Sequence, residues 1–237
     1  DHRDLHLSIR RQRQMCIRDR VGSDAASDCI PCVAGKYVEA EGSDEAVDCV
    51  DCAAGTYVDV TGSDEHTDCI HCAAGTWVDV TGSDEATDCI DCVAGKYVDT
   101  SGHNRASDCI DCVAGTYVEG SGSSLESQCT ACESGKYSSV LGSASESNCI
   151  DCVAGKYVDV AGSDSSTDCI DCVAGKYVDV TGSDAASDCI ECVAGRYIDV
   201  AGSDDATDCI DCAVGTYSAA GSDASEDCID CPLGPYS

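Results

Sequence analysis

The chain has no phenylalanine, one methionine (Met15), one tryptophan (Trp77) and three prolines in 237 residues. Leucine is scarce too: after the first twenty residues only Leu125, Leu141 and Leu233 occur. Burial energy scales with apolar area removed from water, so a chain this poor in large apolar side chains cannot build a conventional core. Basic residues are few as well, 13 against 45 acidic, for a formal charge of −32. That field excludes nucleic acid and anionic membrane surfaces as partners, and it favours cations and basic proteins. No run of about 18 apolar residues exists, so nothing in this segment reads as a transmembrane helix or as a membrane contact. Neither Asn104 nor Asn148 is followed two residues on by Ser or Thr, so no N-glycosylation sequon is present.

What the chain has is cysteine, 23 residues in all, the density of a secreted disulfide scaffold. Pairs in a CxxC arrangement stand at Cys29/Cys32, Cys49/Cys52, Cys69/Cys72, Cys89/Cys92, Cys109/Cys112, Cys129/Cys132, Cys149/Cys152, Cys169/Cys172, Cys189/Cys192 and Cys209/Cys212. Cys228/Cys231 closes the series after the loss of one residue. A fixed period of about 20 residues is the signature of a repeat architecture. A unit so short cannot offset its chain entropy by apolar burial alone, so covalent staples must substitute.

Residues 1–20 lie outside the period: Ile9 and Gln12 stand where a CxxC is due, and the segment holds six of the thirteen basic residues. It lacks the apolar centre of a signal peptide. It resembles the in-frame translation of a transposon-type sequencing-library adapter. The expectation is therefore a non-native segment over 1–20, with Cys16 as an artefact, followed by tandem repeats over 21–237 that are truncated at both ends.

Each unit is punctuated by two glycines, one three residues after the second cysteine (Gly35, Gly55, Gly75 onward) and one in a Gly-Ser pair (Gly62, Gly82, Gly182). Glycine adopts positive φ at no steric cost, so these mark two turns. The alternating, β-branched stretch Lys176–Val180 between them predicts one short strand. Helix is not expected at this glycine density. The fold class is small disulfide-rich β repeats, eleven units of about 20 residues in an elongated rod.

Near-identity of the units constrains the cysteine pairing. Linking Cys29 to Cys49 and Cys32 to Cys52 would force a forty-residue alternation that the sequence does not show. Closing each CxxC on itself would give an easily reduced ring of the catalytic kind. Two schemes keep the symmetry. One interleaves Cys29 with Cys52 in overlapping loops. The other, which we favour, is the simple series Cys32–Cys49, Cys52–Cys69, Cys72–Cys89, Cys92–Cys109, Cys112–Cys129, Cys132–Cys149, Cys152–Cys169, Cys172–Cys189, Cys192–Cys209 and Cys212–Cys228. Each bridge closes a loop of about 18 residues, worth roughly 3 kcal/mol in the chain-entropy model. Cys29 and Cys231 are then left unpaired.

The pattern C-x2-G-x-Y-x4-G-S-x5-C-x2-C, as in Cys172–Gly175–Tyr177–Gly182–Ser183–Cys189–Cys192, resembles the ephrin-receptor-like cysteine-rich repeat. It is also similar to the first module of tumour necrosis factor receptor-type domains. The resemblance implies that the aromatic packs on the disulfide, that the units stack, and that the chain is extracellular. Those families often carry proline after the second cysteine, where only Pro232 does so here.

Other chemistries fit less well. A four-cysteine zinc site would use two CxxC pairs at a time and break the period. A thiol oxidoreductase needs one reactive pair, not eleven equal ones. No catalytic dyad or triad can be singled out. A typical unit offers Asp159, Asp164, Asp168 and Asp171, which could supply oxygens to calcium, yet no D-x-D-x-D-G loop is present and a solvated acidic face is expected. His66, His71 and Trp77 read as solvent-facing drift rather than a metal cluster. The sequence thus points to a non-enzymatic stalk or interaction module, a receptor-ectodomain or adhesion type of region, secreted or on the cell surface. It would need no cofactor and would meet a protein ligand or matrix component. The alternative is an acidic repeat that binds divalent cations, calcium before zinc.

Overall fold

The first glycine of each unit sets the local fold. In the computed structural model, which describes residues 17–18, 29–39 and 46–232, Gly155 has φ +85°. The Lys156 N–H donates to the Val153 carbonyl at 3.2 Å. Positive φ at the third residue of a four-residue turn is what a type II turn requires, and glycine supplies it without strain. The turn launches the strand Lys156–Tyr157, which pairs antiparallel with Ile170–Asp171, Lys156 opposite Asp171 and Tyr157 opposite Ile170. Between the strands the chain makes one turn of 3-10 helix, Ser166–Asp168, and the bridge Cys152–Cys169 ties the loop shut. Two-stranded sheets of this kind, eleven among the described residues, are the entire regular structure apart from the 3-10 turns.

The expected strand Lys176–Val180 is shorter than the alternation predicts: only Lys176–Tyr177 is strand. Val178 leaves the hairpin because its N–H donates to the Ser203 carbonyl of the following repeat at 3.2 Å. A backbone donor can serve one partner, and here the neighbouring repeat takes it.

The chain forms two compact units, Asp1–Ile110 with Gly120–Gln128, and Asp111–Glu119 with Cys129–Ser237. In the second, Gly155 N donates to Val178 O at 2.8 Å, Val158 N to Ser183 O at 3.1 Å and Gly182 N to Cys152 O at 2.9 Å. Tyr157 and Ser183 form a parallel bridge. The first unit repeats the same bonds: Gly55 N to Val78 O at 2.8 Å, Val58 N to Ser83 O at 3.1 Å and Gly82 N to Cys52 O at 2.8 Å. Within each unit a repeat therefore shares backbone hydrogen bonds with the next one, as a repeat lattice requires.

The core is thin and periodic. In each of the better-packed repeats it holds the disulfide and one valine or isoleucine: Cys152, Val158 and Cys169, then Cys172, Val178 and Cys189, then Cys192, Ile198 and Cys209. The aromatic that covers each cluster comes from the preceding repeat: Tyr137, Tyr157 and Tyr177 respectively. Serine replaces the valine at Ser138 and Ser218, and both hydroxyls find partners, Ser143 Oγ at 3.3 Å and Arg196 O at 3.0 Å.

Ile17–Arg18, within the segment expected to lie outside the repeats, pairs antiparallel with Cys29–Ile30. Its register is that of Tyr37 opposite Val50, moved back by one period. A two-residue ladder is made by main-chain groups and needs no particular side chain.

Candidate functional site

The cysteines fall into two roles by burial. Cys152, Cys172 and Cys192 are fully buried, and their partners Cys169, Cys189 and Cys209 nearly so. The bridges join Cys32–Cys49, Cys52–Cys69, Cys72–Cys89, Cys92–Cys109 and Cys112–Cys129. They continue as Cys132–Cys149, Cys152–Cys169, Cys172–Cys189, Cys192–Cys209 and Cys212–Cys228, with Cα–Cα separations of 5.7 to 5.8 Å. That distance is ordinary for a disulfide. Cys231 is an exposed free thiol. Cys16 and the side chain of Cys29 lie outside the described residues.

The four carboxylates of a typical repeat divide the same way. Asp168 Oδ2 accepts from the backbone N–H groups of Asp164 and Ser165, both at 3.1 Å, and so caps the 3-10 turn. Asp171 Oδ1 lies 2.7 Å from Lys156 Nζ across the hairpin. The carboxylates of Asp159 and Asp164 face solvent. Equivalent cross-strand pairs join Lys136 to Asp151 at 2.9 Å, Lys176 to Glu191 at 3.4 Å and Arg196 to Asp211 at 2.7 Å. The hydrogen bond that Lys136 donates to Asp151, opposed by partial burial, holds its ammonium above its ordinary pKa. Where threonine takes the lysine position its hydroxyl closes the turn instead: Thr56 Oγ1 donates to Ala53 O at 2.7 Å and Thr116 Oγ1 to Val113 O at 2.7 Å. Among the described residues no group of three or more His, Cys, Asp or Glu side chains is placed to hold a metal ion.

The capping role of the residue before each first cysteine is not evident from spacing. The signal that could have found it is compositional. Every repeat places a side-chain carbonyl there, Asp in most and Gln128 and Asn148 in two. Gln128 Oε1 does accept from Ser124 N at 2.7 Å and Leu125 N at 2.9 Å.

Trp77 corrects the expectation of solvent-facing drift. It occupies the tyrosine position and packs on the cluster Cys92, Val98 and Cys109. His66 and His71 do face outward, into a groove lined also by Tyr37, Glu39, Thr56 and Thr67. His66 Nδ1 lies 2.7 Å from Glu39 Oε1, and this hydrogen bond holds the Glu39 carboxyl below its ordinary pKa. The corresponding groove one hundred residues on is lined by Tyr137, Val153, Lys156, Thr167, Ile170 and Asp171. The lattice thus repeats the same concavity and changes its lining.

The outward face is the other half of the pattern. Ile170, Val173 and Val180 are 47%, 63% and 56% exposed, and the same positions recur as Ile190, Val193 and Val200. A buried framework that varies little carries an exposed row of aliphatic and acidic side chains.

This cysteine, glycine and aromatic framework matches the family model described as tyrosine-protein kinase ephrin type A/B receptor-like at residues 21–69, 42–89 and 120–169. The chain belongs to this family. The matched stretches cover about half of it, and each contains whole ephrin-receptor-like units with their bridges. A search of curated proteins finds no match. The ephrin-receptor-like repeat is a receptor-type cysteine-rich unit, and no helix among the described residues is long and apolar enough to cross a membrane.

Proposed function

We propose that the chain is a non-enzymatic extracellular repeat region, serving as stalk or protein-interaction module of a secreted or cell-surface protein. The observation that carries this reading is the division of each repeat into a buried disulfide framework and a solvent-facing row such as Ile170, Val173 and Asp159. Disulfides in this number persist in oxidising compartments and not in the cytosol. Repeats that present the same side chains at a fixed interval suit an extended partner, and the charge of −32 selects one bearing basic groups. A basic protein ligand or matrix component fits that description. Expression behind a secretion leader should deliver the chain to the medium with its paired cysteines resistant to alkylation. Recovery of an equally stable chain from a reducing cytosol with all thiols free would contradict the proposal.

A further inference from the structure

The bridges stand in series with the CxxC corners. Cys152 is bonded to Cys169, and three residues later Cys172 is bonded to Cys189. A covalent route therefore runs from Cys152 through sulfur to Cys169, along Ile170 and Asp171 to Cys172, and through sulfur again to Cys189. It bypasses the whole hairpin loop of every repeat. The same route is continuous from Cys32 to Cys228.

We propose that this route makes the repeats a tension-resistant tether, whose extension is set by covalent bonds and not by the strength of the fold. The inference rests on the stalk reading and gives it a mechanism. Along the route one repeat contributes three residue steps, about 10 Å when stretched, and one bridge of 5.7 to 5.8 Å between Cα atoms. It can therefore lengthen to about 16 Å, whereas twenty free residues would reach about 70 Å. Two-residue strands and one buried valine per repeat would yield readily under load, but yielding gains almost no length while the bridges hold.

The same packing guards the bridges. Reduction requires a thiolate to reach a sulfur atom, and Tyr137 covers Cys152–Cys169 while Tyr157 covers Cys172–Cys189. Cys212–Cys228 is the exception, with both cysteines only half-buried. Release of slack should begin there.

The test is to hold the full chain by its ends and stretch it singly. Without reductant, ten bridges and nine corners limit the Cys32–Cys228 segment to about 150 Å, and no large step should appear. With a dithiol present, one thiolate attacks a bridge sulfur, forming a mixed disulfide and expelling the other cysteine as thiolate. The second reductant thiol then closes on the first, leaving two protein thiols and a cyclic disulfide. Each such event frees a loop whose cysteines are 17 residues apart, for steps of about 50 Å. Among the bridged cysteines, alkylation of partly reduced chains should mark Cys212 and Cys228 first. Gly175→Val loosens the packing and should leave the oxidised limit unchanged. Extension of the Cys32–Cys228 segment well beyond about 150 Å without reductant, steps well short of 50 Å, or a longer oxidised limit in Gly175→Val would each overturn the proposal. A chain that is secreted and oxidised yet extends freely would refute the tether and leave the extracellular reading standing.

Discussion

Gly175 lies directly against Gly221, two repeats further along the chain: a Cβ on Gly175 would come within 2.9 Å of the Gly221 carbonyl carbon and closer still to its oxygen. Gly175 also has φ +85°, so both backbone conformation and space demand glycine. Gly155 stands in the same relation to Gly202. Gly175→Val should therefore cost about 1–3 kcal/mol, and the damage should reach the repeat it touches as well as its own. Hydrogen exchange should quicken near Tyr177 and near Gly221 together, while repeats further away keep their protection. Gly120, with no neighbour within 4 Å of its Cβ position, is the control, and Gly120→Ala should change stability by less than about 0.5 kcal/mol. Equal effects at the two sites would contradict the packing described.

The Asp168 cap predicts an asymmetric pair of substitutions. Asp168→Ala removes the acceptor for Asp164 N and Ser165 N and should cost about 0.5–2 kcal/mol. Asp168→Asn keeps an acceptor oxygen, as Gln128 does in its own repeat, and should cost distinctly less. Thermal melts of the two variants decide it. Equal losses would mean that charge rather than hydrogen bonding matters at this position.

These two sites also mark the boundary of what the sequence makes legible. The period, the CxxC corners and the turn at each first glycine follow from spacing, because a turn needing positive φ leaves a glycine at one fixed offset. The end of the strand at Tyr177 does not, because the acceptor that draws Val178 away belongs to Ser203 in the next repeat. Nor does spacing reveal which disulfide an aromatic covers, since Tyr157 packs on the bridge after its own. Strands of two residues carry no readable alternation, and a 3-10 turn of three residues carries no helical period. The cap at Asp168 was written in the sequence as a recurring side-chain carbonyl, hidden by the acidity of everything around it.

Buried serine hydroxyls offer a test of sign. Ser183 Oγ is buried with no hydrogen-bond partner, whereas Ser222 Oγ donates to Ala219 O at 2.9 Å. An unpartnered buried polar group carries its full desolvation cost. Ser183→Ala should be neutral or stabilising by up to about 1 kcal/mol, and Ser222→Ala destabilising by a similar amount. Chemical denaturation of both variants is sufficient. A clear loss in Ser183→Ala would show that its hydroxyl has a partner after all.

The charge of −32 stores self-repulsion, which diffuse salt or a bound divalent ion could relieve. Screening depends on ionic strength, with a Debye length of about 8 Å at physiological salt. Coordination depends on ligand number and geometry and distinguishes calcium from magnesium. Stability should rise with sodium chloride, and millimolar calcium should then add little more than magnesium. In the repeat that carries them, the Asp168 and Asp171 carboxylates are already engaged within the protein. A saturable calorimetric isotherm near one calcium per repeat, lost in the Asp168→Asn, Asp171→Asn double variant, would favour the cation-binding alternative.

The central claim is that one bridge per repeat, from the second cysteine of a corner to the first cysteine of the next, holds together a chain whose core is otherwise at most one valine or isoleucine per repeat. Mass spectrometry of non-reduced peptides from the secreted protein tests it most directly. The account predicts cross-linked peptides joining Cys152 to Cys169 and Cys172 to Cys189, with Cys231 alkylated in the native state. Peptides in which Cys169 is closed on Cys172, or free CxxC pairs that bind zinc stoichiometrically, would contradict it.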